Sequence, residues 1–213
     1  MDFAFGTIEP VLCALQALPS QELQHMKRVG ILTGLFTQYL ADMGFFNLHA
    51  EDFQFFGQAA SYHDIGKAWV DSAILTKPGK LTAQEQDAMC RHPEFSLKLF
   101  DQMADFSFTD TENQFLRLLR SCALYHHEWW NGGGYPYRKA YDEIPVIARI
   151  TAICDAYDAM TSNRVYRAAH THDFACRELM RCAGTQFQPA LVLKFVSSHI
   201  NLADVIRLRS AGF

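Results

Sequence analysis

An all-α fold is what this sequence predicts, on three observations. Apolar residues recur every three or four positions along most of the chain, paired threonine–glutamate capping patterns mark helix starts, and no useful length alternates apolar and polar residues as a strand would. The 213 residues, 49% of them hydrophobic, suffice for a single domain with a sizeable core. No composition shift, internal repeat or low-complexity tract divides them. The reading is one domain over 1–213, with an N-terminal helical extension over 1–19 and a core over about 20–200.

Each element follows from local signals. Ser20 can cap a helix in which His25, Val29, Leu32, Phe36, Leu40 and Met43 share a face. After the "KPGK" turn, Thr82 and Glu85 form a capping-box pattern. His92 precedes Pro93, where a helix must bend or restart. Thr109 and Glu112 form a second capping box, beyond which Phe115, Leu119, Cys122 and His126 align. Pro145 suits the first turn of a helix running through "VIARITAICDAYDAMTS", and "HDFACRELMRC" and "PALVLKFVSSHI" supply two more. Residues 129–142, "WWNGGGYPYRKAYD", are irregular. Three consecutive glycines cannot serve a helix, and so long a loop directly after two histidines points to function.

Composition narrows the functional classes. A formal net charge of −4 argues against a nucleic-acid polymer as partner. No apolar run reaches the length of about eighteen residues that a membrane span needs, and "MDFAFGTIEPVL" lacks the basic region of a secretory signal. Six scattered cysteines without a CxxC pair fit a reduced, cytoplasmic chain, with Cys122 and Cys154 as small buried hydrophobes.

The nine histidines are unevenly placed. His25 falls in the inward register of its helix. His63 with Asp64, and His126 with His127, are adjacent pairs. Neighbouring helical residues diverge by about 100°, so such a pair serves one face only when an object sits between its members; a metal ion fits. Asp155 shares a small-residue face with Ala148, Ala152 and Ala159, where a carboxylate is costly unless paired or metal-bound. His172 and Asp173 also spell HD, but they follow Thr171 at a helix start, where capping explains them. His49, His170 and His199 read as surface or core fillers. Together His25, His63, Asp64, His92, His126, His127 and Asp155 offer seven nitrogen and oxygen ligands and no thiolate. That set is too large for one tetrahedral zinc and suits two five- or six-coordinate ions sharing a carboxylate.

The order "H…HDIGK…HP…HHE…GYP…D" resembles the HD-GYP subgroup of the HD-domain phosphohydrolases, from about His25 to about Phe195. "AILTKPGKLTAQE", "HHEWWNGGGYP", "ARITAICDAYDAMTSNRVYR" and "GTQFQP" are each similar to that family's wording. The resemblance implies an HD-domain helical bundle with a long GYP loop. It also implies a metal-dependent phosphodiesterase that hydrolyses cyclic di-GMP to pGpG or GMP through a metal-activated hydroxide. His25, His63, Asp64 and Asp155 match the ligands of one divalent ion; His92, His126 and His127 match those of a second, with Asp64 bridging. Fe or Mn is favoured, with Zn, Ni or Co compatible. Asp64 and Lys67 are the implied catalytic residues, Lys67 meeting the phosphate. Arg164 and Arg167 match phosphate-proximal positions, and Gly134, Tyr135 and Pro136 are the signature, available beside Lys67 to contact substrate. Trp129, Trp130 or Tyr135 is available to stack on a base.

The implied partners are a cyclic dinucleotide and a diguanylate cyclase or other signalling protein. Two alternatives share the same residues: an HD-type phosphohydrolase of another cyclic or linear nucleotide, and a weakly active metal-bearing module that docks a partner through the loop. Four positions depart from the pattern. Gln21 stands where members with a third ion carry glutamate, which counts against that ion, although Glu22 shares the helical face. Asn131 replaces a usual Asp, Ser96 a common Gly, and Gln188 the Asp of an "FDP" motif.

Overall fold

Helices account for the regular structure of the described residues, 8–45, 53–103, 108–163 and 168–201, in this computed structural model. In order they are α1 (Glu9–Ala17), α2 (Ser20–Asp42), α3 (Phe56–Ala60), a 3-10 turn (Ile65–Trp69), α4 (Ser72–Leu75), α5 (Ala83–Met89), α6 (His92–Gln102), α7 (Asp110–Tyr125), a second 3-10 turn (Tyr141–Glu143), α8 (Val146–Thr161), α9 (His172–Arg181) and α10 (Pro189–Ser197). Among the described residues, β pairing amounts to two isolated bridges, Asn131 with Ala140 and Ala183 with Phe187.

Local chemistry sets most boundaries. Both capping boxes form: Thr82 with Glu85 opens α5, and Thr109 with Glu112 opens α7. Thr171 accepts the Phe174 N–H at 3.2 Å and opens α9. Two starts differ by a residue from the sequence reading. Pro19 and Pro145 take the N-cap positions of α2 and α8, so Ser20 is already helical and makes no side-chain cap. Proline lacks an N–H and brings extended backbone, so it can end the preceding segment without any capping bond.

α2 is the central helix and packs chiefly against α3 and α8; α7 packs against α6, α3 and α8, and α9 against α8. Its inward register buries Val29, Leu32, Phe36 and Leu40. Met43 leaves that face, 54% exposed, because α2 stops at Asp42 and Met43 is its C-cap. Phe36 meets Phe195 edge-on at 5.1 Å between ring centroids, and Tyr157 lies 5.2 Å from Phe195, so α2, α8 and α10 share one aromatic cluster. Burying each such side chain is worth roughly 1.5–3 kcal/mol. Cys122 and Cys154 are buried, and burial pushes both thiols up to about 12.

Two close approaches aim the fold at its polar centre. A Cβ on Gly30 would stand 2.8 Å from the Gly57 carbonyl, so α2 and α3 touch backbone to backbone. A Cβ on Gly66 would stand 1.9 Å from the His92 carbonyl, and the Gly66 N–H donates to Ser96 Oγ at 2.9 Å. Ser96, a departure from the family wording, thereby ties the HD turn to α6.

Candidate metal centre

The adjacent pairs sit at chain reversals rather than along helices. His63 and Asp64 occupy the turn between α3 and the first 3-10 turn; His126 is the C-cap of α7, and His127 follows it. A reversal changes side-chain direction more freely than a helix does, so both members of a pair can reach one centre. His25 arrives from α2, His92 from the first residue of α6, and Asp155 from the middle of α8.

Three of the imidazoles are oriented by the backbone. His63 Nδ1–H donates to the Ala60 carbonyl at 2.8 Å, and His92 Nδ1–H to Met89 at 2.8 Å. His126 Nδ1–H is shared by the Cys122 and Ala123 carbonyls, each at 3.1 Å. Each ring therefore presents Nε2 as a bare lone pair. The Nε2 atoms of His63, His92 and His126, and Oδ1 of Asp64, are buried and have no hydrogen-bond partner. Instead they face one another: His92 Nε2 stands 3.1 Å and His126 Nε2 3.6 Å from Asp64 Oδ1, and His63 Nε2 3.2 Å from Asp64 Oδ2. Acceptors opposed at such distances repel unless a cation lies among them, and an orphaned buried acceptor costs about 1–3 kcal/mol. The donor set fits a metal.

Two overlapping groups have ligand atoms within 4.8 Å of one another: Asp64, His92, His126 and His127, and His25, His63 and Asp64. Asp64 belongs to both. Asp155 completes the second side, its Oδ1 lying 3.1 Å from His25 Nε2 and 4.0 Å from His63 Nε2.

Electrostatics separate the histidines. Burial works against charge on His25, yet the Asp155, Asp158 and Asp64 carboxylates outweigh it and hold the imidazole well above its usual 6.5. Burial pushes His127 well below 6.5, aided by His126 and His92, and burial also lowers His126. Both are neutral at pH 7, the state a ligand needs. Burial alone would raise Asp64 and Asp155, but Lys67 and His63 hold the first, and His25 with His63 the second, well below the usual carboxylate range.

Lys67 Nζ lies 2.7 Å from Asp64 Oδ2 and 2.8 Å from Glu22 Oε2. Burial opposes its charge, and those two carboxylates more than restore it, raising its pKa. Glu22 is thus neutralised by Lys67 and belongs to neither ligand group.

The loop after His127 is built from glycines and one carboxylate. A Cβ on Gly134 would stand 2.3 Å from the Trp129 nitrogen and 2.4 Å from the His127 carbonyl. Tyr135 N–H donates to the His127 carbonyl at 3.1 Å, and the Tyr135 ring stacks on the His127 ring at 4.7 Å. The Tyr135–Pro136 peptide is cis. Buried Glu128 accepts the N–H groups of Tyr137 at 2.7 Å and Lys139 at 3.0 Å, clamping the returning strand of the loop. Asn131 Oδ1 accepts the Gly133 N–H at 2.9 Å, a turn that aspartate would make equally well. Gln188 Oε1 accepts from Arg149 at 3.2 Å.

A cavity of about 290 Å³ opens over this centre, lined by His25, Asp64, Lys67, His127, Tyr135 and Asp155 among others. Lys77 and Leu81, from the turn before α5, form part of its wall. Of the three aromatics considered for base stacking, Tyr135 lines the cavity; Trp129 lies against Gly133, and Trp130 meets Tyr141 edge-on at 5.3 Å. His172 stands apart, Nδ1 bonded to the Tyr157 hydroxyl at 2.9 Å. His170 stacks on Phe174, and His199 is exposed. Arg164, Arg167 and His49 lie outside the described residues. Sequence reasoning missed Arg28, Glu128 and Asp158. The available signal was spacing: Arg28 follows His25 by three and Asp158 follows Asp155 by three, so each shares a helical face with a ligand.

Comparison with known proteins adds an independent line. Residues 14–191 match the HD domain family. A cyclic di-GMP phosphodiesterase of Thermotoga maritima is 32% identical over 206 residues, covering 97% of this chain and 52% of that protein. A 3'3'-cGAMP-specific phosphodiesterase of Vibrio cholerae is 33% identical over 179 residues, covering 84% of this chain and 32% of that protein. The chain thus spans about half the length of the first relative and a third of the second. Among solved structures, an HDG"Y"P protein from Bdellovibrio bacteriovorus superposes with a TM-score of 0.59 at 14% identity, over 90% of this chain and 57% of that one, which shows a common fold.

Proposed function

The chain belongs to the HD domain family, as an HD-GYP domain protein, and from that premise we propose that it is a cyclic dinucleotide phosphodiesterase working with two divalent ions. The observation that carries this reading is the ring of buried, unpartnered Nε2 and Oδ1 atoms around Asp64. Two ligand groups sharing Asp64 support two ions, one held by His25, His63, Asp64 and Asp155 and the other by Asp64, His92, His126 and His127. Glu22 belongs to neither ligand group and faces Lys67, so the reading assigns two ions and no third. A nitrogen and oxygen donor set without thiolate suits Fe or Mn, and accommodates Zn, Ni or Co.

Divalent ions in such a site supply a nucleophile at neutral pH and neutralise charge on phosphoryl oxygens. The chain's own residues do the rest. An ammonium has three donors; two of Lys67's go to Asp64 and Glu22, leaving one for a non-bridging phosphate oxygen. Tyr135, stacked on His127 and lining the cavity, offers an aromatic surface to a ligand, while Gly134 and Pro136 fix the backbone that holds it there. Arg164 and Arg167 are assigned to the substrate's phosphates on their match to the family pattern.

Relatives named for cyclic di-GMP and for 3'3'-cGAMP are almost equally similar, which supports the cyclic dinucleotide class rather than one member of it. On this reading the reaction is assigned to the cytoplasm. The rival reading, a module that docks a signalling protein with little turnover, rests on Asn131 and Gln188. Asn131 makes a local turn with the Gly133 amide and Gln188 accepts from Arg149, and neither residue belongs to a ligand group, so the departures leave the metal-binding set intact and the enzyme is the reading we favour.

The test uses anaerobically purified protein loaded with Mn²⁺ or Fe²⁺, with cyclic di-GMP, 3'3'-cGAMP and pGpG followed by chromatography. Hydrolysis of a cyclic dinucleotide is expected, abolished by chelation and by Asp64→Ala. Protein shown to carry two ions but converting neither cyclic substrate overturns the proposal.

A further inference from the structure

The histidines of the centre are not supported alike. His63, His92 and His126 each lean on backbone carbonyls, which are neutral. His25 instead donates Nδ1–H to the Asp158 carboxylate at 2.7 Å. Asp158 is fully buried, and its other contacts fix it in place. Arg28 grips it through two bonds, Nε to Oδ1 at 2.6 Å and an amino group to Oδ2 at 2.9 Å, and Ser162 Oγ donates to Oδ1 at 3.1 Å. A bidentate guanidinium–carboxylate pair is geometrically rigid, so the imidazole behind it has one available orientation.

Charge is unevenly divided as well. The His25 side has two carboxylates as direct donors, Asp64 and Asp155, and a third behind His25, countered by Arg28. The opposite side has three imidazoles and only the shared Asp64.

Resting on the two-ion reading above, we propose that Asp158, held by Arg28, is a positioning residue that makes the His25 side the tighter of two inequivalent metal positions. The carboxylate donates electron density through Nδ1–H to the imidazole, fixes its tautomer, and removes the rotational freedom it would otherwise lose on ligation. The His92 side lacks this support and releases its ion first.

The experiment measures metal retention, not turnover. Protein loaded with Mn²⁺ or Co²⁺ is titrated with a chelator of known affinity, counting ions per chain and following the Co²⁺ absorption spectrum. Unsubstituted protein should lose its ions in two phases. Asp158→Asn keeps an acceptor for Nδ1–H but removes the charge; it should weaken the tight phase by about 10–100-fold and leave the loose phase in place. His92→Ala should remove the loose phase and spare the tight one. Arg28→Lys keeps a cation but loses the fork, and should weaken the tight phase by a smaller factor; it serves if Asp158→Asn does not fold. Either variant, folded by circular dichroism yet keeping both phases at wild-type affinity, or weakening both equally, overturns the inference while the two-ion reading stands. Unsubstituted protein that binds no metal overturns both.

Discussion

A neutral imidazole ligates only through the nitrogen it has not protonated, and here that choice is made by carbonyls and one carboxylate before any ion arrives. Replacing one such ring is a clean probe. His126→Ala should reduce bound metal from two ions per chain to about one, and lower turnover by at least about a hundred-fold, the upper range for even an outer partner of a metal site. Elemental analysis and product chromatography check both numbers. At this scale the sequence was informative through the number and order of its histidines and acids, since the pairs at 63–64 and 126–127 reach one centre from chain reversals whereas His172 with Asp173 only opens a helix. For Asp158 and Arg28 it offered only their spacing of three from a ligand. An i, i+3 acid or arginine is ordinary on any helix, and only the crossing of α2 over α8 makes these two partners.

Among elements, the irregular loop is held more tightly than its composition suggests. Gly134 has no room for a side chain, and Glu128 binds the loop's returning amides. Gly134→Ala must push the Trp129 nitrogen or the His127 carbonyl aside, so we expect turnover to fall sharply while most bound metal is kept, with a stability loss of about 1–3 kcal/mol. Thr109→Ala is the contrast: loss of the α7 capping box should cost about 1 kcal/mol by denaturant melting with turnover unchanged. Both capping boxes were legible to the residue because reciprocal Thr–Glu bonding is encoded within four positions. Ser20 was misread as a cap because the preceding proline, itself extended, had already ended the segment.

For the molecule as a whole, periodicity and caps revealed an all-α chain, but not which helices converge; that depends on contacts such as Gly30 with Gly57, which no local pattern announces. The proposed ions would join α2, α6, α7, α8 and the HD turn, so metal removal should be felt globally. At a free concentration a hundred times the dissociation constant, one ion adds about 2.7 kcal/mol, or a melting shift of about 5–10 °C for a chain of this size. The shift should also depend on pH. His25 without metal is held above 6.5, so its protonated form contributes stability that is complete below 6.5 and lost as pH rises through the raised value. Metal displaces that proton. Chelated protein should therefore lose melting temperature above pH 6.5, whereas loaded protein should not, and the gap between them should widen with pH. A gap that narrows instead counts against His25 as a ligand. One residue, finally, belongs to both the floor and the roof of the cavity: His127 carries Tyr135 on its ring and anchors the Tyr135 amide with its carbonyl. A displacement of Tyr135 would therefore disturb a candidate ligand at both its ring and its backbone, so loop and cluster are tied through a single residue.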